Sequence, residues 1–214
     1  MKKISLILVG LLMVLALTAC GGNAGSNSEG SNQPVETKEA QESSTEGVTE
    51  ETQPGSDVLV VYFSATGTTK GVAEKIASLT DGDLYEIKAA QEYTDADLNW
   101  SDSDSRSTKE QNDPSARPEI GSEPVSLDGY STIYIGFPIW WGEEPRIMDT
   151  FVESYSFDGI TMIPFCTSSS SGIGKSGENL AEHAGSGNWL EGERFGGDVS
   201  ESLLQMWIEG IQQN

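Results

Sequence analysis

The stretch Val58-Leu59-Val60-Val61-Tyr62-Phe63-Ser64-Ala65-Thr66-Gly67-Thr68-Thr69 decides the fold, because a hydroxyl-rich loop here joins an apolar run to the start of a helix. The first six residues are apolar and rich in β-branched side chains, which is typical of a parallel strand buried on both faces. Apolar residues then recur at helical spacing, which predicts a helix from Thr68 to about Leu79. The predicted order is therefore strand, loop, helix.

The chain after this helix continues the alternation of strands and helices. Further strands are predicted at Asp83 to Lys88, Thr132 to Phe137 and Thr161 to Cys166. Further helices are predicted at Pro145 to about Tyr155, Ser176 to about His183 and Asp198 to Ile211. This alternation is typical of an α/β domain with a parallel sheet.

One long segment, from Ala89 to Glu119, departs from that rhythm and is called the excursion below. It is polar and serine-rich, and its only bulky apolar side chains are Tyr93, Leu98 and Trp100. Segments of this length inside a compact domain are usually functional or mobile. The sequence leaves open whether the excursion covers a ligand or shapes a surface for a partner.

The loop after the first strand is suited to bind a phosphate group. Ser64, Thr66, Thr68 and Thr69 place four hydroxyls around Gly67 at a helix start, where unpaired N–H groups and partial positive charge favour anions. The loop lacks the Gly-Lys-Ser/Thr ending of a P-loop and the repeated glycines of a dinucleotide fingerprint, which disfavours ATP, GTP and NAD. The alternative is a helix start that Ser and Thr merely cap.

In its context after a buried strand, Phe63-Ser64-Ala65-Thr66-Gly67-Thr68-Thr69 resembles the phosphate loop of flavodoxins, whose pattern is Thr/Ser-x-Thr-Gly-x-Thr. The resemblance covers residues 57–214. It implies a flavodoxin-like, doubly wound, five-stranded parallel sheet of order 2-1-3-4-5 with helices on both faces. It also implies FMN as cofactor, with its phosphate at Ser64, Ala65, Thr66, Gly67, Thr68 and Thr69.

Doubly wound sheets bind ligands at the carboxyl ends of their strands, so two further loops are candidates. After the third strand come Pro138, Ile139, Trp140, Trp141 and Gly142, and paired tryptophans at a strand end are well placed to stack on a flat ring. The alternative is that the tryptophans belong to the core, which we expect for one of the two. The segment resembles the Gly-x-Pro-Ile/Val-Trp-Trp motif of a flavodoxin subgroup often found as bacterial lipoproteins.

The loop after the fourth strand offers hydroxyls and flexible backbone through Thr167, Ser168, Ser169 and Gly172. The alternative is a flexible linker. In flavodoxin-like proteins this loop carries the third set of flavin contacts. Where the subgroup tends to have glycines in the middle of the loop, this chain has Ser169 and Ser170, whose side chains either clash with the ring edge or bond to it.

The N-terminus predicts export and a lipid anchor. Lys2 and Lys3 precede an apolar run of 14 residues, Ile4 to Leu17, which is too short to span a membrane and suits a signal peptide over residues 1–19. Leu17-Thr18-Ala19-Cys20 resembles the bacterial lipobox, which implies lipid on Cys20 and attachment to the extracytoplasmic face of the cell membrane. The alternative for Cys20 is an ordinary thiol after a simple signal peptide.

Composition limits the partners. Residues 20–56 are polar and acidic, which predicts a disordered linker, and residues 57–214 predict one domain. Of the net charge of −22, the linker holds −6 and the two N-terminal lysines +2, so the domain holds −18. This charge disfavours nucleic acid and favours a redox partner with a basic face.

Two further residues, His183 and Cys166, have side chains that could take part in chemistry. His183 is the only histidine, and no metal-ligand cysteine pair lies near it in the sequence, which makes a zinc site improbable. We expect His183 to be exposed. Cys166, at a buried strand end, is expected to pack and not to act as a nucleophile.

The sequence therefore favours a lipid-anchored, FMN-binding electron-transfer protein that needs no catalytic residue of its own. Two alternatives remain open at this stage. One is an FMN-dependent NAD(P)H or quinone reductase, with the excursion shaping a substrate site. The other is a flavin-free binding module.

Overall fold

The computed structural model describes residues 55–213. The strands are β1 (Val58–Phe63), β2 (Asp83–Ile87), β3 (Thr132–Pro138), β4 (Thr161–Thr167), β5 (Asn188–Trp189) and β6 (Glu193–Phe195). The helices are α1 (Thr68–Thr80), α2 (Arg106–Asn112), α3 (Arg146–Glu153), α4 (Ser176–Ala184) and α5 (Glu201–Gln212). The predicted signal peptide, Cys20 and almost all of the predicted linker lie outside the described residues.

All strand pairs in this sheet are parallel, and their order is β2-β1-β3-β4-β5, with β6 also pairing with β4. This confirms the predicted topology. The fifth strand position, however, is filled by two short pieces, β5 and β6.

The break in the fifth strand lies opposite Pro164 of β4. Leu190 N–H donates to the carbonyl of Met162 at 2.9 Å, so the backbone groups of residue 162 face the fifth strand. Because alternate residues of a strand face the same neighbour, the backbone groups of residue 164 face the fifth strand as well. Pro164 has no N–H to donate there. A Cβ on Gly192 would lie 2.8 Å from the Pro164 carbonyl oxygen, which leaves room only for a residue without a side chain.

Helices cover both faces of the sheet. Helices α1 and α5 pack on one face through an apolar cluster that includes Val60, Val72, Ile76, Phe165 and Leu204. Helices α3 and α4 pack on the other face through a cluster that includes Val61, Ile135, Phe151 and Leu180. The strands are nearly continuous apolar runs because both faces are buried.

The excursion is not an irregular loop throughout, since it contains α2 and its two ends are joined by an isolated antiparallel bridge between Ala89 and Ile120. Sequence periodicity did not predict α2, whose seven residues are polar. Among residues 55–213, no helix has the length and apolar character needed to cross a membrane.

Candidate functional site

The first loop lies at the carboxyl end of β1, and its hydroxyls are not used to start α1. Gly67 is the N-cap residue, with φ +85°, and no side chain makes a capping hydrogen bond there. Glycine is favoured at this position because other residues rarely adopt a positive φ. The capped-helix alternative therefore does not account for the serine and threonines of the loop.

The hydroxyl of Ser64 is the sharpest feature of the first loop. Its Oγ atom is buried and has no hydrogen-bond partner among the described residues. Thr66 and Thr68 are exposed, and their hydroxyls lie 3.3 Å apart. A buried hydroxyl without a partner costs free energy, so Ser64, close to a helix N-terminus, is a candidate contact for a ligand that could supply the missing bond.

Thr69, the last residue of the predicted phosphate loop, is buried and serves the fold. Its Oγ1 lies 2.7 Å from Oγ1 of Thr167 at the end of β4, a contact that joins the first loop to the third. Thr167, which was predicted as a cofactor contact, is likewise buried and turned toward Thr69. These two threonines hold the loops together, whereas Ser64, Thr66 and Thr68 remain available to a ligand.

The second loop is a tight turn at the end of β3. Trp140 N–H donates to the carbonyl of Glu143 at 2.9 Å, and Glu143 N–H donates back at 3.1 Å. The two central residues, Trp141 and Gly142, have φ of +50° and +89°, as in a type I′ turn. A bulky residue rarely adopts this conformation, and such strain is concentrated at functional sites.

The two tryptophans of this turn have different roles. Trp140 is partly buried and packs edge-on against Phe63 and Tyr93, with ring centroids 5.7 Å and 5.1 Å away. Trp141 is 44% exposed. The expectation that one of the pair belongs to the core fits Trp140, and Trp141 is the indole left free for a ligand.

The third loop lies beside the second. A Cβ on Gly174 would lie 3.4 Å from the carbonyl oxygen of Gly142, so the two loops are in contact. Ser168 Oγ accepts hydrogen bonds from the N–H groups of Ser170 and Ser171 at 3.3 Å and 2.9 Å. The loop is thus ordered by its own serine, while Ser169 and Gly172 are exposed.

A cavity of about 470 Å³ opens beside the first two loops. Its lining comes from the first loop, the second loop and the excursion, and consists of Thr66, Leu98, Trp100, Ser107, Ile139, Trp140 and Trp141. Leu98, Trp100 and Ser107 were not predicted as site residues. The only sequence signal for them was that Leu98 and Trp100 are bulky apolar side chains in a polar segment.

Tyr93 anchors the excursion against Phe63 and Trp140. Its ring packs edge-on against Phe63 with centroids 5.8 Å apart, and its hydroxyl donates to Oε2 of Glu110 at 2.5 Å. Arg106 donates to Oε1 of Glu110 at 2.7 Å and places its guanidinium 4.0 Å from the Tyr93 ring centroid. Burial and the Glu110 carboxylate raise the pKa of Tyr93, so its hydroxyl stays protonated and donating.

Gln111 of α2 joins the excursion to the second loop. Its Nε2 donates to the carbonyls of Trp140 at 3.1 Å and Glu144 at 3.2 Å. Arg146 donates to the Gln111 carbonyl at 3.2 Å from the other side. The tryptophan turn is therefore held by the excursion as well as by its own two hydrogen bonds.

A buried ionic cluster lies behind the turn and was not predicted from the sequence. The fully buried Asp149 lies 3.5 Å from Arg146, 3.9 Å from Arg117 and 3.1 Å from Nδ1 of His183. The expectation that His183 is exposed is wrong, because its side chain is only 31% exposed and packs against this carboxylate. Burial raises the pKa of Asp149, and the three neighbouring basic groups offset only part of that rise.

The residues present fit an FMN molecule in two respects. The first loop offers an unpartnered hydroxyl and a free helix terminus to a phosphate, and the adjoining cavity offers an exposed indole to a flat ring. Cys166 is buried in β4, with its pKa raised by burial to about 12, which suits packing and not nucleophilic chemistry. Within residues 55–213, no group of three or more His, Cys, Asp or Glu side chains is arranged to hold a metal ion.

Comparison with solved structures places the chain among flavoproteins. A protein from Bacteroides uniformis, provisionally described as a flavoprotein, is 46% identical, with a TM-score of 0.69 over 72% of this chain and 99% of that one. A similar protein from Bacteroides eggerthii is 44% identical, with a TM-score of 0.68 over 72% and 97% of the two chains.

A flavoprotein from Lactobacillus acidophilus, solved in complex with FMN, is 27% identical, with a TM-score of 0.55 over 71% of this chain and 97% of that one. No curated protein matches the chain significantly. The family model described as flavodoxin matches residues 57–211. This chain belongs to the flavodoxin family.

Proposed function

We propose that the chain is an FMN-binding electron-transfer protein, held at the extracytoplasmic face of a bacterial membrane by lipid on Cys20. The main support for FMN binding is the buried Ser64 hydroxyl, which has no hydrogen-bond partner among the described residues and precedes the open N-terminus of α1. Thr66 of the same loop and Trp141 line one cavity. The FMN complex of the relative from Lactobacillus acidophilus supports the same cofactor.

In the proposed binding mode, each loop contacts a different part of FMN. Ser64, Thr66, Thr68 and the first N–H groups of α1 hold the phosphate, which needs no lysine or arginine because the helix terminus supplies the partial positive charge. Trp141 stacks on the ring, and the exposed backbone near Ser169 and Gly172 faces its polar edge. FMN supplies the redox chemistry when bound, and the protein supplies binding, orientation and electric field.

Electron transfer is favoured over a reductase activity by the charge of the domain. The excursion carries Glu92, Asp95, Asp97, Asp102 and Asp104 with no lysine or arginine among residues 92–105, and it borders the ring cavity. Such a surface speeds association with a basic redox protein.

FMN binding is tested on the Cys20→Ser variant, purified and stripped of flavin, by titration with FMN and with riboflavin, which lacks the phosphate. We expect saturable binding of FMN and much weaker binding of riboflavin, because the first loop binds the phosphate group, which riboflavin lacks. If the protein binds neither, it is a flavin-free binding module and the proposal is wrong.

Electron transfer and membrane anchoring need separate experiments. The reduced, FMN-loaded protein is mixed with cytochrome c, a basic haem protein, and the rate is expected to fall as salt is raised. Steady NAD(P)H oxidation with a quinone would instead favour the reductase. For the anchor, the full chain is expected in the membrane fraction and the Cys20→Ala variant in the soluble fraction.

A further inference from the structure

Trp100, in the excursion, has a fixed backbone but an almost free side chain. The Leu98 N–H donates to the carbonyl of Thr94 at 3.1 Å, and the Asp102 N–H donates to that of Asn99 at 3.1 Å. Trp100 itself is 80% exposed. The backbone holds this indole at the surface, and little of its apolar area is buried. It is therefore available to pack against a bound ligand or partner.

The segment around Trp100 is docked against α2. Ser107 N–H donates to the carbonyl of Asp97 at 3.0 Å, and Thr108 Oγ1 donates to that of Asp102 at 3.0 Å. Through Gln111, α2 is bonded in turn to the carbonyl of Trp140 at 3.1 Å. The position of Trp100 relative to the tryptophan turn is thereby set by a continuous series of hydrogen bonds.

Trp100 and Trp141 line the same cavity, and Thr66 of the first loop also reaches it. The two indoles come from different segments, one from the excursion and one from the second loop. The third loop, from Thr167 to Lys175, contains no aromatic residue and cannot provide a second stacking partner.

We propose that Trp100 covers the face of the FMN ring opposite Trp141, so that the excursion forms the second wall of the ring site. This inference rests on the proposed FMN binding and assigns a role to a segment whose purpose the sequence left open. Trp100 is a binding residue for the planar ring and not for the phosphate. A ring covered on both faces exchanges electrons through its exposed edge.

The test uses three variants of the full chain in the Cys20→Ser background: Trp100→Ala, Trp100→Phe and, as a matched control, Met206→Ala, whose side chain is exposed on α5. Kd for FMN and for riboflavin is measured by titration, together with the fluorescence of the bound flavin. We expect Trp100→Ala to raise Kd about tenfold for both ligands, in line with the cost of removing a stacked aromatic.

The fluorescence of bound flavin is expected to rise only slightly in Trp100→Ala, because Trp141 stays stacked on the other face and still quenches the ring. Trp100→Phe is expected to retain affinity within about threefold, since a ring still covers the site. Met206→Ala is expected to match the unsubstituted protein in both measurements.

Three results would overturn the inference. The first is an unchanged Kd for both ligands in Trp100→Ala. The second is a loss for FMN without a loss for riboflavin, which would mean that Trp100 acts through the phosphate loop. The third is failure of the unsubstituted protein to bind FMN, which would remove the proposed function itself and is seen before any variant is compared.

Discussion

At the scale of single residues, Ser64 has a side chain that we propose binds the ligand but that lowers the stability of the fold. Its Oγ is buried without a partner among the described residues, which costs about 1–3 kcal/mol in a folded protein. Thr69, two positions beyond Gly67, also has a buried hydroxyl, but its Oγ1 has a hydrogen-bond partner in Oγ1 of Thr167 at 2.7 Å. The contrast separates a hydroxyl that stabilises the fold from one that we propose binds the ligand.

Replacing Ser64 by Ala is therefore expected to weaken binding without weakening the fold. The Kd for FMN should rise about tenfold, because a hydrogen bond to a charged group is worth about 1.5–3 kcal/mol. The free energy of unfolding without ligand should stay the same or rise, because the unpaired hydroxyl is gone. Urea unfolding and FMN titration measure the two quantities.

The matched control for Ser64→Ala is Ser200→Ala. Ser200 Oγ accepts the Leu203 N–H at 3.3 Å and caps α5, so its loss should lower the free energy of unfolding by about 1 kcal/mol and leave FMN binding unchanged. A parallel fall in stability and affinity for Ser64→Ala would show that the hydroxyl supports the fold instead.

Cys166 is expected to be unreactive in the folded protein. Burial raises its pKa to about 12, so at pH 8 the thiol stays protonated, and only the thiolate attacks disulfide reagents. In the Cys20→Ser variant it is the only thiol, and Ellman's reagent should label it at pH 8 only after denaturant is added. Rapid labelling without denaturant would mean that β4 opens locally.

At the scale of elements, the sequence predicts well the features that depend on a pattern within one segment. It does not predict the features that depend on contacts between distant segments. The apolar runs of β1, β3 and β4 and the hydroxyl-rich loop after β1 carry their own signal. The split of the fifth strand depends on Pro164, a residue of another strand that lies opposite the break. No pattern within residues 188–195 contains that information.

The excursion illustrates the same limit at the candidate site. Its helix α2 is polar and short, and it is held by Gln111 and Arg106 bonding to groups far away in the sequence. His183 was expected to be exposed. The carboxylate of Asp149, which packs against it, comes from α3.

Gln111→Ala is expected to loosen the second loop as well as α2. Removing the amide leaves the carbonyls of Trp140 and Glu144 without this donor, which should lower the free energy of unfolding by about 1–3 kcal/mol. The affinity for FMN should also fall, since Trp141 follows the freed turn. Urea unfolding and FMN titration again report both effects.

Gln205→Ala serves as the control for Gln111→Ala. Gln205 is exposed on α5 and bonds only to Glu209 at 2.9 Å, so its loss should change stability by less than about 0.5 kcal/mol. If Gln111→Ala reduced affinity while stability stayed constant, Gln111 would contact the ligand directly and would not act by holding the turn.

At the scale of the whole molecule, negative charge is the dominant property. The chain carries 34 acidic residues against 12 basic ones. Two of the arginines near the site are paired with carboxylates, Arg106 with Glu110 and Arg146 with Glu143. An added electron on a bound ligand would therefore enter a region of negative potential.

We expect this field to place the midpoint potential of the last electron step of bound FMN below that of free FMN, because the fully reduced ring is an anion. Replacing Glu92 and Asp95 by Gln and Asn removes two exposed charges from the excursion. Each should contribute about 0.3 kcal/mol through water, so the potential should rise on the order of 25 mV at low salt and less at high salt. The control, Asp158→Asn with Glu209→Gln, removes two exposed charges from the opposite end of the sheet. Redox titration of the three FMN-loaded proteins should show a shift only for the first pair. Equal shifts for both pairs would mean that net charge alone, and not its position beside the cavity, sets the potential.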